Sequence, residues 1–229
     1  MAMDEAKKRA AERAIDELPQ EGIVGLGTGT TAKLFVEALA PHVRAGRKFV
    51  CVPTSKATHE LADRLGIPLL GDEGPWQIDV NVDGADEVSE NLDLIKGGGG
   101  AHTREKIINY ASKRNVVIVD SSKLSKHLGE KWPIPIEVLP FGHGTTRAHL
   151  ARLGTPVLRS RDGAPVRTDA GNYLYDLRVP PLEDPTALDH ALRAIPGIVE
   201  TGLFIGRADV VIVADPAGVR RLERATTKR

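Results

Sequence analysis

The 229-residue sequence is poor in several features, and each shortage removes a class of function. It has one cysteine, Cys51, so no disulfide can close within the chain and cysteine-rich zinc sites are excluded. Set in the apolar run Phe49-Val50-Cys51-Val52, that thiol reads as core filling. Neither sign of charge is in excess, with 31 Lys plus Arg against 31 Asp plus Glu. Basic tracts never exceed a few residues, so a footprint for a nucleic-acid backbone has no support. Long apolar runs are missing too. The longest, residues 210–214, falls far short of the ~18 residues a membrane helix needs, and Met1-Ala2-Met3-Asp4-Glu5 has no apolar stretch of signal-peptide type. There are no internal repeats or low-complexity segments. The expectation is a soluble, cytoplasmic protein whose partner is a small molecule, with no nucleic acid and no membrane. What is present is globular in composition, 41% hydrophobic and 27% charged. At ~150 residues per domain the length predicts one large domain or one with a small companion.

The pattern along the chain alternates. Ala6, Ala10, Ala14 and Leu18 recur at helical spacing in an opening helix. The apolar stretch 23–26 then reads as a buried strand, followed by a glycine-rich turn and a helix over 30–43 with Leu34, Phe35, Ala38 and Leu39 on one face. Strand and helix alternate again through 49–52, a helix including Leu61 and Leu65, 78–82, a helix near 105–114, and 116–119. This predicts an α/β fold, a doubly wound and mostly parallel sheet of Rossmann-like type, with its ligand beyond the carboxyl ends of the strands. From about Lys131 the order becomes β-α-β-β-α-β: strand 134–139, helix 145–153, strands 156–159 and 173–179, helix 185–195 capped by Asp184, and strand 198–204. That is the plan of a smaller α+β ferredoxin-like domain, read as structural. The run 210–214 and a helix starting near Asp215 return to the large sheet. The expected domains are therefore 1–130 with 207–229, and an insertion at 131–206.

Four segments carry chemistry. In Gly25-Leu26-Gly27-Thr28-Gly29-Thr30-Thr31-Ala32, three glycines permit close backbone approach and the helix start offers free N–H groups, a combination that suits a phosphate. Gly27-x-Gly29-x-x-Ala32 also fits a relaxed dinucleotide fingerprint, which asks for an acidic residue ~20 positions on. The next strand ends instead in Val52-Pro53-Thr54-Ser55, so a nicotinamide enzyme is disfavoured. In the second segment, 79–90, Asp79, Asn81, Asp83, Gly84 and Glu90 match a calcium-loop pattern letter for letter. The match is rejected because Ile78, Val80 and Val82 alternate as a strand and the eighth loop position holds Asp86. Spacing alone leaves two readings of Asp83 and Asp86 open, a ligand-binding turn at a strand end or a helix cap.

The third segment runs from Lys96 through four consecutive glycines, 97–100, to Glu105. Such a run is costly in backbone entropy, and close approach of a ligand accounts for it. Lys96 and Glu105 are then a cation and a carboxylate able to act on one bound molecule. Singly, each reads as readily as an exposed lysine and a first-turn glutamate. His102 has no assigned role. In the fourth segment, Asp120-Ser121-Ser122-Lys123, Lys123 could reach an anion, although the motif is also an ordinary capping turn.

Assembled, these segments resemble the ribose-5-phosphate isomerase type A family over essentially the whole chain. The resemblance rests on residues 25–32, Asp83-Gly84-Ala85-Asp86-Glu87, Lys96-Gly97-Gly98-Gly99 through Thr103-Arg104-Glu105-Lys106, residues 120–123, and Ala194-Ile195-Pro196-Gly197-Ile198-Val199. Two positions depart from the family pattern: Thr30 stands where many members carry serine, and His102 where an apolar residue is expected. The resemblance implies interconversion of ribose 5-phosphate and ribulose 5-phosphate in the pentose phosphate pathway. It implies that Thr28, Gly29, Thr30 and Thr31 hold the phosphate region. Asp83, Gly84, Ala85, Asp86, Lys96, Gly97, Gly98 and Gly99 contact the sugar, Lys123 binds substrate, and Glu105 accepts the proton, with Lys96, Asp83 and Asp86 as the other catalytic groups. It implies no cofactor and no metal, and a homodimer or homotetramer. Two rival readings stand beside it. A metal-assisted isomerase would bring histidine and carboxylate ligands, but no His-x-x-x-His array accompanies the aspartate turn. A sugar-phosphate sensor would not need Lys96 and Glu105 together.

Overall fold

The computed structural model describes residues 2–224; the expected large domain therefore has its extremes, residue 1 and residues 225–229, outside the described residues. The chain forms two compact units, Met1–Ala85 with Arg104–Ser122 and Gly206–Arg229, and Asp86–Thr103 with Lys123–Ile205.

In the first unit six strands make one sheet, in the order Gly218–Glu223, Val210–Asp215, Ser112–Asp120, Ile78–Asp83, Glu21–Leu26, Lys48–Pro53. Neighbours are parallel except for the last hairpin, 210–215 with 218–223. The expected doubly wound, mostly parallel sheet is thus present. Its order switches direction at Glu21–Leu26, which lies between the second and third strands of the chain, and such switch points leave a crevice for ligands. The helix Thr30–Arg44 buries Ala32, Phe35, Val36, Leu39 and Ala40, at the spacing of one helical face. Fully burying a side chain such as Phe35 contributes about 1.5–3 kcal/mol. The helix Lys56–Arg64 begins where Ser55 Oγ accepts the N–H of Thr58 at 3.2 Å.

The helix expected over 145–153 is His143–Leu150, and three further differences from the sequence reading bear on the layout of the sheets. Among the described residues no helix follows Asp215. Its Oδ1 accepts the N–H groups of Ala217 and Gly218, closing a turn that sends 218–223 back antiparallel to 210–215. The helix expected over 105–114 is His102–Tyr110, because Ser112 already pairs with Ile78 as the next strand. The expected strand 198–204 divides at Gly202 into Ile198–Thr201 and Leu203–Phe204, which enter different sheets.

In the second unit, the four-stranded sheet runs Ile198–Thr201, Ile134–Val138, Tyr173–Arg178, Thr155–Leu158, antiparallel throughout, which is the ferredoxin-like order. Asp184 caps the helix Pro185–Arg193 by accepting from Ala187 N–H, as expected. Ile134, Ile136, Val138, Tyr175, Leu177 and Leu192 form its core. This unit is larger than the expected insertion 131–206. A three-stranded sheet, Leu203–Phe204, Leu94–Ile95, Glu87–Val88, joins residues 86–103 to it.

Candidate active site

The glycine-threonine loop leaves Glu21–Leu26 at the switch point. Gly27 N–H bonds to Val82 O at 3.0 Å and Thr28 N–H to Asp83 Oδ1 at 3.1 Å, so the loop is stitched to the end of Ile78–Asp83. A Cβ at Gly27 would collide with the Asp83 carboxylate, which is why glycine stands there. Gly29, at φ 112°, precedes the helix Thr30–Arg44 as its N-cap without a side-chain capping bond, and the first turn holds no acidic residue. An anion is the natural complement to such an end. Thr30 is exposed and Thr31 half-buried, whereas the Thr28 hydroxyl is committed inward, within 2.7 Å of Thr54 Oγ1 and 2.8 Å of Ser55 Oγ. Thr54 and Thr58 in turn bond the carbonyls of Leu26 and Gly27, so this hydroxyl cluster holds the loop's shape.

Asp83 is 2% exposed, and its Oδ1 also accepts Gly84 N–H at 2.7 Å. Placing Ile78–Asp83 on a strand disposes of the calcium-loop match. Among the described residues no cluster of three or more histidine, cysteine or carboxylate side chains is arranged for a metal. Glu105, 4% exposed, lies in the first turn of His102–Tyr110, one turn before Ile108 and on the same face. Gly25 makes room for that helix, since a Cβ there would stand 2.8 Å from Ile108 Cγ2. At its far end Arg207 Nη2 and Asn115 Nδ2 both donate to Asn109 O, at 2.8 and 3.1 Å. Asp120 accepts Ser122 N–H at 3.0 Å and the Ser122 hydroxyl, which is the capping-turn reading of that segment.

The second unit carries the remaining expected residues. Asp86 Oδ2 accepts Gly98 N–H at 2.7 Å, so this carboxylate shapes the glycine loop. Its neighbour Glu87, fully buried, accepts N–H groups of Gly129, Lys131 and Trp132 and is structural. Lys96 is 4% exposed; its N–H bonds to Gly202 O at 2.9 Å and its ammonium lies 5.6 Å from the Phe204 ring centre. Gly97, at φ 113°, rests against His102, where a Cβ would come within 2.7 Å of Nδ1. His102 is fully buried with Nε2 3.2 Å from Glu200 O, which makes the unassigned histidine a support of this loop. Gly99 is exposed, and Lys123 lies 5.1 Å from the Trp132 ring centre.

Thr28, Asp83 and Gly84 therefore come together in one unit, which also holds Ala85 and Glu105. Asp86, Gly97 and Gly98 come together in the other, with Lys96, Gly99 and Lys123. The sequence reading missed Arg159 and Asp176. Arg159 Nη1 donates to the carbonyls of Gly97 and Gly98 at 2.9 and 3.1 Å, while Asp176 holds the same guanidinium through Nε at 2.9 Å. A lone arginine between short strands gives no signal of this in sequence.

Residues 50–218 match the family model described as ribose 5-phosphate isomerase A (phosphoriboisomerase A). The ribose-5-phosphate isomerase A of Rhodopseudomonas palustris is 46% identical, covering 98% of this chain and all of the relative. Among solved structures, a D-ribose-5-phosphate isomerase in complex with phospho-erythronic acid is 40% identical with a TM-score of 0.94, covering 98% of this chain and all of that one. The ribose 5-phosphate isomerase A of Methanocaldococcus jannaschii is 39% identical with a TM-score of 0.90, covering 96% and 98%.

Proposed function

The chain belongs to the ribose 5-phosphate isomerase A family, and from that premise we propose how its residues divide the work. The protein is an aldose-ketose isomerase that interconverts D-ribose 5-phosphate and D-ribulose 5-phosphate. From the open-chain aldose, Glu105 removes the proton on carbon 2 and returns one to carbon 1, while a proton passes from the carbon-2 oxygen to the carbon-1 oxygen. The intermediate between the two transfers is an enediolate, whose oxygen charge the Lys96 ammonium stabilises. Asp83 moves hydroxyl protons or assists ring opening. Asp86 and Gly97 to Gly99 line the sugar, Thr28 to Thr31 take the phosphate, and Lys123 binds substrate.

The observation that carries this reading is the full-length likeness, with Asp83, Asp86, Lys96 and Glu105 standing in the motifs on which it rests. Burial supports the chemistry, because a carboxylate and an ammonium each only 4% exposed act in a medium where charge is felt strongly. The test is incubation of the purified protein with ribose 5-phosphate in the presence of EDTA. Ketose should form at an undiminished rate; no ketose overturns the activity, and activity restored only by a divalent ion overturns the metal-free scheme.

We place the reaction in the pentose phosphate pathway of the cytoplasm. No helix among the described residues is long and apolar enough to cross a membrane. We also propose a homodimer or homotetramer, supported by large apolar side chains left exposed in the second unit, Phe141 at 94% and Leu139 at 47%. Light scattering on the eluted protein should give two or four times the 24.6 kDa chain mass; a monomer at working concentration overturns it.

A further inference from the structure

We propose that Arg159, fixed by Asp176, is the positioning residue that sets the Lys96 to Gly99 loop in its reactive conformation. The proposal rests on the reading that this loop contacts the sugar. A run of glycines has no side chains with which to hold a shape and loses more freedom on folding than any other sequence, so its conformation must be imposed from outside. The second unit does this at one peptide group above all. Gly97 C=O accepts from Arg159 at 2.9 Å, and on the opposite edge of the same peptide Gly98 N–H donates to Asp86 at 2.7 Å. A cation and a carboxylate thus clamp one peptide plane from its two sides.

The next peptide follows. Gly98 C=O also accepts from Arg159 Nη1, at 3.1 Å. A trans peptide points its N–H away from its C=O, so this bond turns Gly99 N–H away from the arginine, at a residue that is exposed. A donor held in advance in this way suits an oxygen on which charge develops. The guanidinium itself has little freedom. Nε and Nη2 are bonded to the two oxygens of Asp176 at 2.9 and 2.5 Å, leaving both Nη1 hydrogens for the two carbonyls. Only a planar fork makes all four bonds at once, and lysine, a point charge with a flexible stem, cannot reproduce them.

The face of Tyr173–Arg178 that carries Leu174 and Asp176 takes part as well. Leu174, two residues before Asp176, lies where a Cβ on Gly100 would be 3.1 Å away. The ferredoxin-like sheet, read from sequence as structural, supports the glycine loop along that face.

The experiment compares R159K, R159M and K96M with the parent enzyme for kcat, KM, melting temperature, and inhibition by phospho-erythronic acid and by inorganic phosphate. Both Arg159 variants should lose about tenfold or more in kcat. Phospho-erythronic acid, whose carboxylate mimics the enediolate end of the substrate, should bind R159K about tenfold more weakly, with inorganic phosphate inhibition unchanged. Wild-type kcat and unchanged phospho-erythronic acid inhibition in R159K overturn the proposal. So does equal weakening of both inhibitors together with a lowered melting temperature, because that is damage to the fold. R159K keeps the charge beside Asp176 and carries the test if R159M does not fold. K96M separates the two levels: a fully active K96M refutes the reading of the loop, whereas an inactive K96M beside normal Arg159 variants refutes the role of Arg159 alone.

Discussion

The N–H of Thr28 donates to Oδ1 of Asp83 at 3.1 Å, and the same oxygen accepts the N–H of Gly84 at 2.7 Å. One carboxylate therefore binds together the carboxyl ends of two neighbouring parallel strands. The loop assigned to phosphate and the turn assigned to sugar are fixed by a shared atom.

That closeness explains Gly27 and makes it testable. Gly27→Ala drives a methyl group into the Asp83 carboxylate. Overpacking of this kind costs about 1–3 kcal/mol. The expected result is a melting temperature several degrees lower and a loss of turnover through displaced Asp83. A variant with unchanged melting and turnover would show that the contact is looser than described.

Glu105→Gln keeps the shape of the side chain and removes its ability to accept a proton. Turnover on ribose 5-phosphate should fall by ~10²-fold or more with a modest change in KM. Steady-state rates near those of the parent would transfer the role of base to another group.

Thr31→Val removes one hydroxyl from the half-buried first turn of Thr30–Arg44. Energy from a remote phosphate contact is used at the reacting carbons, so kcat/KM for ribose 5-phosphate should fall much further than for free ribose. Equal losses on the two substrates, at unchanged melting temperature, would mean that the loop does not recognise phosphate.

Asp79 offers a pH test away from the site. Its carboxyl is held below the ordinary carboxylate range, chiefly by the hydrogen bond from Lys113 and next by that from Ile23 N–H. A depressed folded-state pKa contributes stability that is present above the unfolded value, about 3.9, and lost as pH falls through the folded one. Because the side chain is 31% exposed and Lys113 67%, the contribution is about 0.5–1 kcal/mol. Asp79→Asn should be less stable than the parent in urea at pH 7, and the gap should narrow at pH 3. A gap of equal size at both values counts against the ion pair.

Burial pushes the Cys51 thiol up to about 12. At pH 8 about one thiol in 10⁴ is then ionised, and the thiolate is the reactive form. Native protein should resist iodoacetamide for hours and be labelled promptly in concentrated guanidinium. Fast labelling of the native state would place Cys51 outside the core.

What the sequence determined by itself was local. Alternating strands and helices, the Asp184 cap and the chemistry-bearing motifs follow from periodicity and residue type, which act over a few positions. Tertiary structure decided whatever depended on partners far away in the chain. Asp215-Pro216-Ala217-Gly218 reads equally well as a helix start or a turn, because an aspartate accepting from N–H groups two and three residues on serves both. The pairing of 218–223 with 210–215 selects the turn. Residues 86–103 join the smaller unit because Leu94–Ile95 pairs with Leu203–Phe204, more than a hundred positions on. The strand order that makes Glu21–Leu26 the switch point, and the grip of Arg159 on Gly97 and Gly98, have the same origin. Hydrogen bonds between backbones and to carbonyls carry no mark of their distant partner in either sequence, so only the folded chain selects them.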